Sequence, residues 1–220
     1  MSASSPAGWP ATTRAPACFE RINCSATRST SVVSGVYAML LKDRKVFFGD
    51  CTVNVDPTAE DLAQIALNTA RVAETFGVRP RVAMLSYSNF GSVRNDDTRR
   101  MARAAALARE KNPALVVDGE MQADTAVTDG ILAEMFGFNR LGKAANVLVF
   151  PDLASGNIAY KLMHRLGDAK VVGPLLMGIE RPFNVLQRNA DVENVVDLMA
   201  ITVAQAQVKC IQKCTTIKAG

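Results

Sequence analysis

Four segments of this 220-residue chain carry residue types that could do chemistry. Phe150-Pro151-Asp152-Leu153-Ala154-Ser155-Gly156-Asn157 combines a stop, a glycine and an amide. Gly156 would let a ligand approach the backbone, and Asn157 can donate and accept at once. The plainer reading is a capping loop. Ser86-Tyr87-Ser88-Asn89-Phe90-Gly91-Ser92 offers the hydroxyls of Ser86, Ser88 and Ser92 beside a glycine. Such a loop could hold a phosphate or an amide, or could simply close on itself through hydroxyl–backbone bonds. Gln187-Arg188-Asn189-Ala190-Asp191 sets a permanent cation beside a predicted helix start, where free N–H groups favour anions. The alternative is a solvated Arg188. Asp118-Gly119-Glu120-Met121-Gln122-Ala123-Asp124 gathers three acids. They could hold Mg²⁺, but Asp118 or Glu120 capping a helix, with Asp124 in solvent, is the simpler reading. The chain has neither a glycine-rich run ending in Gly-Lys-Ser/Thr nor a GxGxxG, so neither a P-loop nor a nicotinamide fold is supported.

These segments need elements to position them. Gly35–Leu41 and Lys45–Val53 are β-rich runs around the polar Lys42-Asp43-Arg44, which predicts a hairpin. Thr58 and Asp61 fit a capping box after Pro57. Leu62, Ile65, Ala66, Thr69, Val72, Ala73 and Phe76 then recur at helical spacing, and Gly77 supplies the stop. Beyond it strands and helices alternate. The strands are Arg81–Ser86, Leu115–Asp118, Ala145–Phe150, Lys170–Val172 and Leu175–Ile179, the last two divided by Gly173-Pro174. The helices are Thr98–Lys111, Met121–Met135, Ser155–Leu166 (Ile158, Leu162 and Leu166 in line) and Asp191–Val208. On the last, Val195, Leu198, Met199, Thr202 and Ala206 share a face. This rhythm predicts an α/β fold, a mainly parallel sheet of about five strands with helices on both faces. Ligands of such sheets bind beyond the carboxyl ends of the strands, where the loops after residues 86, 118, 150 and 173 lie.

The net charge of +4 belongs to the ends. Residues 1–32 and 209–220 hold six bases and one acid, which leaves 19 bases against 20 acids between them. A nucleic-acid surface would put a basic face on the folded part, so no nucleic-acid partner is expected. No apolar run approaches the ~18 residues of a membrane span, and no membrane partner is expected. The start lacks a basic cluster followed by an apolar run, so it does not read as a secretory signal. Residues 1–32, rich in Ser, Thr, Ala, Arg and Pro, read as disordered; their composition also suits a transit peptide, but Gly8, Trp9 and Pro10 break any amphipathic helix there. Five cysteines without a CxxC pair, and His164 with none near it in sequence, give no zinc pattern. They fit the reduced thiols of a cytoplasmic protein, with no metal site.

Asp50-Cys51-Thr52-Val53-Asn54-Val55-Asp56-Pro57-Thr58-Ala59-Glu60 resembles the segment that opens the second domain's first long helix in phosphate acetyl/butyryl transferases. Ser86–Ser92, Asp118–Gln122, Asn146–Asn157, Gly173-Pro174 and Arg181-Pro182 fall in the family's order, so the resemblance spans about Val33 to Gln207. Asn89-Phe90 and Met121-Gln122-Ala123-Asp124 look most like the transferase-type domain at the C-terminus of NADP-dependent malic enzymes. The resemblance implies two α/β subdomains with a cleft in which acetyl passes between CoA and phosphate. It assigns residues 33–180 to the second subdomain and 181–208 to a helical segment of the first, with 1–32 and 209–220 outside the family pattern. The larger part of the first subdomain has no counterpart, so the chain reads as a fragment or as altered at both ends.

Carried over by position, the family's Ser-Arg pair and the Asp six residues on fall at Gln187, Arg188 and Asn194. The resemblance gives the arginine a role in phosphate binding and the Asp that of the base for CoA. An amide at Asn194 cannot take that proton. The expectation is therefore a degenerate transferase domain, responsive to acetyl-CoA and regulatory, with no confident catalytic residue. An active phosphate acetyltransferase and a non-enzymatic dimerisation remnant are the alternatives. Arg188, Asn157, Gly156, Ser86, Ser88 and Ser92 are the expected CoA or substrate contacts. Acetyl-CoA and phosphate are the expected partners, with self-association and no tightly bound cofactor.

Overall fold

The structure is a computed structural model that describes residues 32–186 and 190–218, with side chains as far as residue 207. Its elements are β1 (Ser34–Leu40), β2 (Lys45–Gly49), α1 (Ala59–Thr75), β3 (Arg81–Leu85), α2 (Asp96–Lys111) and β4 (Val116–Met121). They continue with α3 (Ala123–Val127), α4 (Asp129–Met135), β5 (Val147–Val149), α5 (Leu153–Leu166), β6 (Lys170–Met177) and α6 (Val192–Lys218). One six-stranded sheet has the order β4-β3-β5-β2-β1-β6. The four strands β4, β3, β5 and β2 pair in parallel, and β1 runs antiparallel to both β2 and β6. The expected α/β sheet is therefore present, with the hairpin at its start and a sixth strand at one edge.

Both faces are covered. On one, Leu62 and Ile65 of α1, Met101 and Ala105 of α2 and Leu198 of α6 pack on Val82, Val147, Phe47 and Leu175. On the other, Ala126 of α3, Leu132 of α4 and Tyr160 of α5 pack on Phe48, Ala83 and Leu148. Fully burying each large aliphatic chain stabilises by about 1.5–3 kcal/mol, so these contacts fix which face each helix presents. α1 begins at the expected capping box: Asp61 N–H donates to Thr58 Oγ1 (3.2 Å) and Thr58 N–H to Asp61 Oδ2 (3.0 Å).

Several expectations are corrected. Gly173-Pro174 does not divide two strands; β6 runs through both residues. Gly173 has φ +138°, and a Cβ there would meet Val36 O at 2.8 Å, so only glycine lets β1 and β6 stay this close. Pro174 is tolerated because β6 is an edge strand. Gly173-Pro174 is thus no strand-end loop. β4 does not stop at Gly119 but continues to Met121, and residues 123–135 form two short helices rather than one. Ile158, Leu162 and Leu166 are exposed (58%, 53% and 81%), while α5 turns Gly156 and Tyr160 inward. The small Gly156 and the Tyr160 ring, stacked on Tyr37 at 4.2 Å, set that orientation. On α6 the face holding Leu198 and Thr202 closes on β6, and Val192, Val196, Met199 and Val203 face outward.

Candidate functional site at the strand ends and the start of the last helix

The carboxyl ends of β2, β3, β4 and β5 meet along one edge. Two buried acids organise the loops there. Asp50, directly after β2, accepts from the N–H groups of Gly35 (3.0 Å), Thr52 (2.9 Å), Val53 (3.2 Å) and Asn54 (2.9 Å), and from Asn54 Nδ2 (2.6 Å). Burial pushes its carboxyl above the usual range, against the opposing pull of these donors. Burial likewise pushes the neighbouring Cys51 thiol well up, and Asp50 adds to that rise.

Glu120 does the same for the serine loop. Met84 pairs with Gly119 and Leu85 with Met121, so Glu120 is one residue extra in β4. Such an insertion re-aims a side chain. Here Glu120 Oε1 accepts from Ser88 Oγ (2.9 Å) and Gly91 N–H (2.6 Å). A Cβ on Gly119 would lie 2.7 Å from Met84 O, which explains the glycine before it.

Ser86, Ser88 and Ser92 therefore sit together, but their hydroxyls are turned into the loop. Ser86 Oγ accepts from Ser88 N–H (3.3 Å), Ser88 Oγ lies 3.1 Å from Ser92 Oγ, and Ser92 Oγ accepts from Asn89 N–H (3.0 Å). Asn89 and Gln122 exchange two further bonds, Gln122 N–H to Asn89 Oδ1 (2.8 Å) and Asn89 Nδ2 to Gln122 Oε1 (3.0 Å). Gly156 and Asn157 lie in the first turns of α5 against the Asp50–Cys51 turn. A Cβ on Gly156 would meet Asp50 O at 2.8 Å, and Asn157 Nδ2 donates to Cys51 O (3.2 Å). Asp152, not Asn157, caps α5, accepting from Ser155 N–H (2.7 Å).

The acids Asp118 and Glu120 of this segment are engaged with other groups. Asp118 Oδ2 accepts from Arg140 N–H (2.7 Å), Asp118 Oδ1 lies 3.5 Å from Arg109 Nη1, and Glu120 is committed to Ser88. No group of three or more His, Cys, Asp or Glu able to hold a metal occurs among the described residues. The N-termini of α1, α2 and α5 are capped by Thr58, Asn95 and Asp152, which leaves little there for an anion. Arg100 of α2 reaches this edge, paired with Asp56 and Asp97, and its buried Nε has no partner.

Gln187 and Arg188 lie outside the described residues. Asn194 is described: Asp191 caps α6 by accepting from Asn194 N–H (2.8 Å). Beside it is a cavity of about 200 Å³ lined by Tyr160 and His164 of α5, Lys170 and Gly173 of β6, and Leu186, Ala190, Asp191, Glu193 and Asn194. Lys170 Nζ contacts Asp197 (2.8 Å) and Glu193. Hydrogen bonds to Asp197 and then Glu193 hold that lysine well above its ordinary value. Three strands, β5, β2 and β1, separate β3 from β6, so Asn194 and the serine loop belong to separate regions. Sequence reasoning missed the organising roles of Asp50 and Glu120 and the cavity around His164. A charged residue directly after the apolar Val46-Phe47-Phe48-Gly49 was the signal for Asp50. His164 left no such signal, because its neighbours come from other elements.

The doubly covered, mainly parallel sheet with an antiparallel hairpin defines an α/β protein, and comparison with known proteins specifies the family. Residues 19–203 match the family described as Phosphate acetyl/butaryl transferase, and the chain belongs to that family. It is 47% identical over 176 residues to the phosphate acetyltransferase of Corynebacterium glutamicum, covering 80% of this chain and 54% of that one. The phosphate acetyltransferase of Bacillus subtilis is 43% identical over 173 residues (79% and 54%). A phosphotransacetylase from Streptococcus pyogenes superposes with a TM-score of 0.79 at 40% identity, over 82% of this chain and 56% of that one. The chain spans about half the length of the curated relatives it matches. These relatives are phosphate acetyltransferases, and the likeness to a malic-enzyme domain gains no support from them. No helix among the described residues is long and apolar enough to cross a membrane.

Proposed function

We propose that the chain is a phosphate acetyltransferase, active rather than degenerate, passing acetyl between CoA and phosphate. The observation that carries this reading is the 47% identity over 176 residues to a protein named for that activity. It favours activity over the regulatory reading drawn from Gln187, Asn194 and the missing part of the first subdomain. Acetyl-CoA enters as a substrate, not as a resident cofactor. Arg188 is the proposed phosphate contact, because a guanidinium binds phosphate through two parallel bonds. Arg100, with its unpartnered Nε, is a cation near the strand ends.

The test is direct. The purified chain is mixed with CoA and acetyl phosphate, and thioester formation is followed by absorbance. Turnover of about 1 s⁻¹ or more, within the ordinary enzyme range, supports the reading. Calorimetric binding of acetyl-CoA without turnover in either direction returns the chain to the degenerate, regulatory reading.

A further inference from the structure

We propose that His164 is the proton acceptor for the CoA thiol in this chain. The inference rests on the acyl-transfer reading above, and it concerns the cavity at the start of α6.

Attack by CoA requires its thiolate, since the thiol itself is a weak nucleophile. A group must therefore take the proton near neutral pH. The charged and titratable groups around the cavity leave few choices. Lys170 of β6 is cationic and clamped by Glu193 and Asp197 of α6, so both of those carboxylates are already engaged. Asp191 caps α6 through Asn194 N–H. Tyr160 of α5 is stacked on Tyr37, and a phenol O–H is a donor rather than a base. Asn194 is an amide and accepts no proton.

Among the described residues that line the cavity, His164 is the group left over. It is the single histidine of the chain, and its ring lines the cavity. Its Nδ1 lies 3.1 Å from Ala169 O. A carbonyl only accepts, so Nδ1 must carry the hydrogen, and the neutral ring then holds its lone pair on Nε2. An imidazole with one nitrogen fixed and the other basic is the arrangement a general base needs. The backbone carbonyl does the orienting, with no carboxylate required.

The step balances. Nε2 takes the S–H proton, and the sulfur bonds to the acetyl carbonyl carbon of acetyl phosphate. The C–O bond to phosphate breaks, the phosphate oxygen leaves with the electron pair, and the imidazolium returns its proton to that oxygen.

The experiment compares the full chain with H164N, whose side-chain amide can keep the bond to Ala169 O. The expected result is a fall in kcat of about 10²–10⁴-fold with KM for acetyl phosphate changed less than about threefold. The acid limb of the wild-type rate profile should vanish with it. Two rescues separate a base from a structural residue. Added imidazole should restore H164G, and N194D, which places a carboxylate in the same cavity, should restore H164N. An H164N chain within about threefold of wild type, with the same acid limb, would overturn the proposal while leaving the functional reading intact. So would a loss that neither rescue reverses. A wild-type chain that turns nothing over would overturn the functional reading, and the proposal with it.

Discussion

Ser88 and Glu120 form a buried pair across two loops: Ser88 Oγ, fully buried, donates to Glu120 Oε1 over 2.9 Å although 32 residues separate them. The same oxygen accepts from Gly91 N–H. The pair ties the end of β3 to the end of β4 and fixes the serine loop as one piece. Glu120→Ala should take from Gly91 N–H its acceptor and leave Ser88 Oγ only Ser92 Oγ and Val93 O. A bond to a carboxylate contributes about 1.5–3 kcal/mol, so a loss of about 2–4 kcal/mol is expected for the two together. Glu120→Gln keeps one carbonyl acceptor and should lose about half as much. Urea unfolding at constant slope reads both variants. A change below about 0.5 kcal/mol in Glu120→Ala, the scale of an ordinary surface substitution, would show that the loop is held by its other bonds.

That pair also marks where sequence reading stopped. The alternation of strand and helix was legible because apolar spacing reports burial directly, and the capping box at Thr58 and Asp61 was legible because both partners lie three residues apart. Glu120 was read as a cap or a metal ligand, since its partner is distant in sequence and an extra residue in β4 reverses the direction a strand alternation would assign it. Ile158, Leu162 and Leu166 are in line at helical spacing, yet all three are exposed. Periodicity finds a stripe but not which side of the helix meets the sheet, and the small Gly156 decided that. Gly156 and Asn157 looked equally suited to a ligand and to a simple capping loop. The structure puts the Asp50–Cys51 turn against them.

Cys51 gives a pH dependence with a definite sign. Its folded thiol is raised well above the ordinary 9.0, first by burial and then by the Asp50 charge. The folded state thus keeps a proton that the unfolded chain has lost above pH 9.0. Stability is fully present below that value and falls as the pH rises beyond it, by up to about 1.4 kcal/mol per pH unit for this single group. Cys51→Ala should flatten that alkaline fall relative to wild type, whatever its cost at neutral pH. Denaturant midpoints across pH 8–11 measure the difference in slope, and equal slopes would refute the assignment. In the same native chain, iodoacetamide should leave Cys51 unmodified by peptide mass spectrometry until denaturant is added, because a buried protonated thiol is inert.

Two glycine substitutions of identical chemistry should move stability in opposite directions. Gly156 and Gly130 both lie inside helices, α5 and α4. A Cβ on Gly156 would stand 2.8 Å from Asp50 O and 3.1 Å from Cys51 Sγ. The first of these is backbone, held in place by the ring of donors on the Asp50 carboxylate, and it has little freedom to retreat. Gly156→Ala must therefore lift α5 from the sheet, at the ~1–3 kcal/mol typical of overpacking, which exceeds the ~1 kcal/mol gained in helix propensity. A Cβ on Gly130 meets nothing within 4 Å. Gly130→Ala should stabilise by about 0.4–1 kcal/mol through the unfolded chain alone. If Gly156 instead existed to admit a ligand and the turn could give way, Gly156→Ala would melt like Gly130→Ala and lose only CoA binding. Thermal melts of the two variants, run beside calorimetric titration with CoA, distinguish a glycine kept for the close packing of α5 from one kept for a substrate.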